Sequence, residues 1–133
     1  MAPTNFPFWA SILASIIEQK NGQVGILDLN ALRMNFGGKQ VPNQVIIDQI
    51  SSEKWDLIGI GGLTTTYSRI KELTPLIQKN AKDAILIGGG GWATYNPVEI
   101  LQLVPELDMI CIGEGETTFS ELYDEIDKGT RDF

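Results

Sequence analysis

Three apolar runs of this chain end in glycine: "WDLIGIGG" (55–62), "AILIGGG" (84–90) and "DMICIGEG" (108–115). The glycines are Gly59, Gly61 and Gly62; Gly88, Gly89, Gly90 and Gly91; Gly113 and Gly115. Backbone without side chains serves two purposes. It permits tight turns with positive φ, and it lets a flat or phosphorylated ligand lie directly against main-chain N–H groups. One glycine after one strand is ordinary turn chemistry. Three such turns on one sheet edge favour a ligand site, because the C-terminal strand ends of an open α/β sheet line its binding crevice.

Other reactive side chains are few. The chain has no histidine, which removes histidine metal sites, catalytic triads and histidine general bases. Its single cysteine, Cys111, excludes an internal disulfide and a four-cysteine cluster and reads as a small buried hydrophobe. Glu114 and Glu116 lie beside the third glycine turn. Capping of the following helix or contact with another domain is the stronger reading for them than acid–base catalysis. Asp28 ends the run "GQVGILDLN" (22–30) and is read equally as a ligand contact or a cap. No catalytic or metal-ligating set emerges.

The elements that must position these turns alternate. The run 22–30 and the three glycine-ended runs read as strands, the last three buried on both faces as in a parallel sheet between helices. Helical spacing covers 6–22, 42–53, 68–81, 96–104 and 117–129. Gly22 and Gly129 supply stops, and Asn96-Pro97 with Glu99 supplies a start. Pro75 predicts a kink or an early break in the third helix. "NALRMNFGGKQ" (30–40) reads as a mobile loop. The expectation is one α/β domain over residues 1–133, three-layer and flavodoxin-like, lacking the strand that normally precedes the first helix. That gap leaves unpaired strand edges, from which either marginal stability or a homodimer through those edges is expected.

Composition limits the partners. Of the 133 residues 43% are hydrophobic and 20% charged, with a net charge of −7 and a pI near 4.4. This acidic balance argues against nucleic acid and against an anionic membrane surface. No apolar run approaches the roughly 20 residues of a membrane span, and no basic flank marks a signal peptide. A reducing cytoplasm is the expected location. Gly88-x-Gly90-x-x-Ala93 matches the dinucleotide fingerprint in form but follows a late strand, and Gly38-Lys39 lacks the remainder of a phosphate-binding loop.

The segments "ILDLNA", "DLIGIGGLTTTYSRIKEL", "LIGGGGWATYNPVEIL" and "DMICIGEGETTFSELYDEI", in this order, resemble the cobalamin-binding domain of cobalamin-dependent radical S-adenosylmethionine enzymes. That family's text runs as a strand ending in D, then GISGLT, GGxHATxxPEE and GEGExTFxEL. The resemblance covers about residues 6–129, and "GEGETTFSELYDEI" is its most specific part. It implies a wide, flat corrin on the glycine rim with its nucleotide tail beside the strands. Gly61-Gly62-Leu63-Thr64-Thr65 is similar to the S-x-L-x-T tail motif, with Gly61 in place of the serine. Gly88 and Gly89 match the paired glycines beside the tail; Gly90, Gly91 and Ala93 complete that turn. Trp92 stands where the family often has histidine, to pack on the ligand or to cap the core. Gly113, Glu114 and Gly115 form the third rim turn.

The resemblance also implies that cobalt receives no imidazole from this chain. A 4Fe-4S cluster and S-adenosylmethionine would belong to a following radical S-adenosylmethionine barrel, probed by a C-x-x-x-C-x-x-C motif that one cysteine cannot supply. The expected role is the cobalamin-binding module of a methyltransferase-type enzyme, without a catalytic centre of its own. The alternatives are a cofactor-free regulatory or protein-interaction module and a nucleotide-binding domain using the same edge.

Overall fold

The structure, a computed structural model, describes residues 8–62 and 67–133. Element order is α1 (Phe8–Gln19), α2 (Leu29–Leu32), a 3-10 turn (Arg33–Phe36), α3 (Asn43–Ser51), β1 (Leu57–Gly62), α4 (Tyr67–Asn80), β2 (Ile85–Gly90), α5 (Gly91–Thr94), α6 (Pro97–Leu103), β3 (Met109–Ile110) and α7 (Glu116–Asp127). The class is α/β with a wholly parallel sheet in the order β1-β2-β3. Contacts gather the chain into two compact units, residues 43–115 and residues 1–42 with 116–133.

The unit 43–115 holds the sheet. β2 is its centre: Ile85, Leu86, Ile87 and Gly88 are all buried, as a strand covered on both faces must be. Around it lie Ile46, Ile70, Leu73, Ile77, Ile100, Val104 and Leu107, all buried. β1 pairs with β2 over its whole length, from Leu57↔Ile85 to Gly62↔Gly90. β3 is shorter than its apolar run, but bonds of ladder type extend it on both sides. Asp108 N–H donates to the Leu86 carbonyl at 2.9 Å and Cys111 N–H to the Gly88 carbonyl at 2.8 Å. The Asp108 carboxylate takes the Leu86 N–H at 2.8 Å.

Of the two outcomes expected at Pro75, α4 excludes the early break, because the helix continues to Asn80 with Pro75 inside it. Proline removes one N–H donor, which leaves the Lys71 carbonyl without its helical partner. Beside it the fully buried Thr74 hydroxyl donates to the Ile70 carbonyl at 2.6 Å. Buried Ile70, Leu73 and Ile77 hold this helix by packing, which outweighs the local penalty. α6 begins where Asn96-Pro97 predicts, but the Asn96 side chain makes no capping bond.

In the other unit the run 22–30 is not a strand, which corrects the four-strand reading. Ile26 and Leu27 are exposed, and among the described residues this unit contains helices and a 3-10 turn but no strand to pair with. Asp28 instead caps α2, its carboxylate accepting from Asn30 N–H at 3.0 Å and Ala31 N–H at 3.2 Å. The stretch read as a mobile loop contains most of α2 and the 3-10 turn, which closes on Gly37 at φ 66°.

α1 and α7 pack together through the C-terminal end of α1. Gly22 N–H donates to the Ile17 carbonyl and Asn21 N–H to the Glu18 carbonyl, both at 3.0 Å, with Asn21 at φ 64°. This is the Schellman arrangement, and Asn21, not Gly22, takes its left-handed position. The Tyr123 hydroxyl donates to the Lys20 carbonyl at 3.0 Å, and the Lys20 ammonium pairs with Asp124 at 2.6 Å. Gly22 is glycine for room. A Cβ there would stand 2.4 Å from Ile17 Cγ2 and 2.7 Å from Tyr123 Cε2. α7 ends in a second Schellman arrangement at Gly129, φ 90°.

Among the described residues no helix is long and apolar enough to cross a membrane. Gly22→Ala is expected to destabilise the chain by about 1–3 kcal/mol through overpacking against Ile17 and Tyr123. Urea unfolding of the variant checks this, and an unchanged midpoint would remove Gly22 from the α1–α7 clasp.

Candidate functional site

Parallel pairing decides where the glycines go. Because β1, β2 and β3 run in one direction, their C-terminal ends lie at one rim of the sheet. Gly61 stands opposite Gly89, and Gly62 opposite Gly90. The third turn joins through Thr94, whose hydroxyl donates to the Gly90 carbonyl at 2.9 Å and accepts from Gly113 N–H at 3.5 Å. All three glycine turns therefore meet. Thr94 carries that link and is absent from the sequence-derived set; its only signal is a hydroxyl directly after a glycine-aromatic-alanine turn. Leu63, Thr64 and Thr65 lie outside the described residues.

The four consecutive glycines divide into two pairs. Gly88 is required by the chain's own packing: a Cβ would stand 2.9 Å from Trp92 Cζ2 and 3.3 Å from Leu107 Cδ1. Gly90 is required by backbone approach. It sits at φ 92°, and a Cβ would stand 2.7 Å from the Gly62 carbonyl oxygen. Neither constraint applies to the other two. A Cβ on Gly89 would find only Cys111 atoms at 3.8 and 3.9 Å, an ordinary contact, and one on Gly91 would find nothing within 4 Å. The internal packing of the chain thus explains Gly88 and Gly90, tolerates a Cβ at Gly89 in ordinary contact with Cys111, and among the described residues leaves open space before Gly91. Gly113 has positive φ, 76°, with open space before it.

Trp92 lies inward. It is 4% exposed, with its benzo edge over Gly88. Ala93 is fully buried beside it in sequence. The Trp92 Nε1–H is buried and has no hydrogen-bond partner; the other such side-chain atom among the described residues is the Tyr67 hydroxyl. A buried donor left unpaired costs about 1–3 kcal/mol. Cys111 is buried, its thiol 3.9 Å from the Glu114 carbonyl oxygen. Glu114 is exposed after β3, and Glu116 occupies the first turn of α7, where a carboxylate opposes the helix dipole favourably. The described residues contain no cluster of three histidine, cysteine, aspartate or glutamate side chains able to hold a metal ion.

The chain is similar to several known proteins. An anaerobic magnesium-protoporphyrin IX monomethyl ester cyclase of Synechocystis is 35% identical over 66 residues, which is 50% of this chain and 13% of that protein. An uncharacterized methyltransferase of Pyrococcus horikoshii is 26% identical over 126 residues, 95% of this chain and 26% of that protein. A second such cyclase, from Rubrivivax gelatinosus, is 23% identical over 123 residues, 92% of this chain and 21% of that protein. The chain thus spans about a quarter or less of each of these relatives.

Among solved structures, the N-terminal domain of a hypothetical protein from Thermotoga maritima shares the fold. Its TM-score is 0.60 at 16% identity, over 98% of this chain and 92% of that one. The model of the B12 binding domain family matches residues 2–123. A parallel sheet, a shared glycine rim and a match over nearly the whole sequence lead to one conclusion: this chain belongs to the B12 binding domain family, whose flavodoxin-like α/β fold it adopts.

Proposed function

We propose that this chain is the cobalamin-binding module of a cobalamin-dependent radical S-adenosylmethionine enzyme of methyltransferase type. The observation that carries the reading is the open space that the described residues leave before Gly91, on a rim where Gly88 and Gly90 are accounted for by the chain itself and nothing in the packing demands a glycine at 89. A corrin edge fills such space without meeting a Cβ. Cobalamin, when bound, supplies a cobalt centre for group transfer. The chain's own residues bind and orient it: Gly61, Gly62, Gly89 and Gly91 present bare backbone, Gly88 and Trp92 form the floor, and Gly113 to Gly115 close the third side. Leu63, Thr64 and Thr65 belong to the same proposal through their match to the tail motif.

The names of the relatives, a cyclase acting on a porphyrin ester and a methyltransferase, support an enzyme whose chemistry lies in a separate domain. In this reading a radical S-adenosylmethionine barrel carries the 4Fe-4S cluster and S-adenosylmethionine and is the principal partner, in a cytoplasmic enzyme. A second contact follows from β1, an edge strand among the described residues. Its sequence "LIGIGG" carries no lysine, proline or other charge to discourage pairing. We propose that this edge supports self-association of the chain.

Mixed with hydroxocobalamin and passed through gel filtration, the chain is expected to retain a corrin spectrum. Gly89→Ala and Gly91→Leu should keep the wild-type melt to within about 1 kcal/mol while weakening cobalamin binding at least tenfold. Gly90→Ala should instead lower stability by about 1–3 kcal/mol, from its strained φ and the Gly62 carbonyl. Absence of corrin from the protein peak, combined with stabilisation by a nucleotide, would replace the cobalamin reading with a nucleotide one. Sedimentation over a hundredfold concentration range tests the edge: a dimer that dissociates on dilution is expected, and a monomer throughout would end that proposal.

A further inference from the structure

Trp92 combines two properties that packing alone leaves unexplained. It is nine-tenths buried, yet it carries a polar atom with no partner. A phenylalanine would fill most of the same space over Gly88 without an unpaired donor. The ring contacts identify which side carries the N–H. Cζ2 and Cη2 lie 2.9 and 3.1 Å from the Cβ position of Gly88. Cζ2 is bonded to the ring carbon that bears Nε1, so the N–H borders the edge seated on the glycine strand. In the chain Trp92 follows directly on Gly91, before which the described residues leave open space.

Resting on the cobalamin reading above, we propose that the Trp92 indole N–H is a specificity-determining donor reserved for an acceptor atom on the nucleotide tail of the ligand. Size selects the tail over the ring. A corrin spans more than the width of two strands and stays on the rim, whereas an indole 4% exposed behind Gly88 is reached only by a narrow, flexible group. The tail has such groups in its phosphodiester, its ribose hydroxyls and its base nitrogen, all acceptors. Pairing with one of them converts an uncompensated buried donor into a satisfied one, so the bound state gains what the free chain lacks. The tail also makes the site selective, because a corrinoid without it leaves the donor unpaired.

Trp92→Phe isolates the N–H. The free variant is expected to melt at or above the wild-type temperature. Its hydroxocobalamin affinity should fall about tenfold, which is about 1.4 kcal/mol, while its affinity for dicyanocobinamide, which lacks the tail, should match that of the wild type. In a 15N spectrum of the wild-type chain the indole resonance lost in the variant should move on addition of cobalamin and stay in place with cobinamide. Should the phenylalanine variant fold poorly, a benzothiophene side chain at the same codon keeps the ring shape without the donor and gives the same comparison. Equal cobalamin affinity of variant and wild type, or an indole resonance that does not respond, overturns the role of Trp92 and leaves the cobalamin reading standing. A wild-type chain that retains neither corrinoid overturns both.

Discussion

The rim depends on how closely two parallel strands approach at their last residues. β1 and β2 remain in register to the Gly62↔Gly90 pair, and there the space for a side chain vanishes, with the Gly62 carbonyl 2.7 Å from where a Gly90 Cβ would stand. Any other residue at 90 would push the strand ends apart and strain its own backbone. With that pair fixed, the chain turns at φ 92° into α5, which places Trp92 back over Gly88 and Thr94 against the turn after β3. One close approach thus sets the floor, the side and the open front of the site.

The energetic logic is unusual for a core. Leu86, Ile87 and Val104 are almost completely buried and purely apolar, as burial favours. Trp92, 4% exposed, brings a donor that has no partner among the described residues. Sites that hold ligands commonly keep such a local conflict, because a group unsatisfied in the free state makes association more favourable. The division among the glycines follows the same pattern. Gly88 and Gly90 serve the fold, whereas a side chain at Gly89 or Gly91 would meet no close obstacle among the described residues.

Much of this was legible in the sequence, and the limits have physical causes. The glycine-ended apolar runs at 55–62 and 84–90 correspond to β1 and β2, but only β2 has the burial on both faces that its continuous apolar residues predict; β1, at the edge among the described residues, is half-buried at most positions and has no buried residue. The run 22–30 has the same appearance but no ladder, since a strand exists only beside another and local pattern carries no information about neighbours. Pro75 does not end its helix: tertiary packing of Ile70, Leu73 and Ile77 outweighs the breaker. Within "GGGG" the letters are identical, so only coordinates separate Gly88 and Gly90, constrained by Trp92 and Gly62, from Gly89 and Gly91. The inward orientation of Trp92 had one sequence signal, a glycine four residues earlier in a fully buried strand.

The pairing of α1 with α7 has a bearing on how the chain comes together. Tyr123 and the Lys20 carbonyl it meets are 103 positions apart, whereas residues 43–115 form their sheet from one uninterrupted stretch. Closing so long a loop carries a large entropic cost until something already ordered shortens it. During synthesis residues 43–115, which carry all three strands, emerge before α7 does. The first helix must wait, its apolar face exposed, for a partner translated at the other end of the sequence. The α1–α7 pairing is thus a late, long-range closure, in contrast to the contiguous sheet unit.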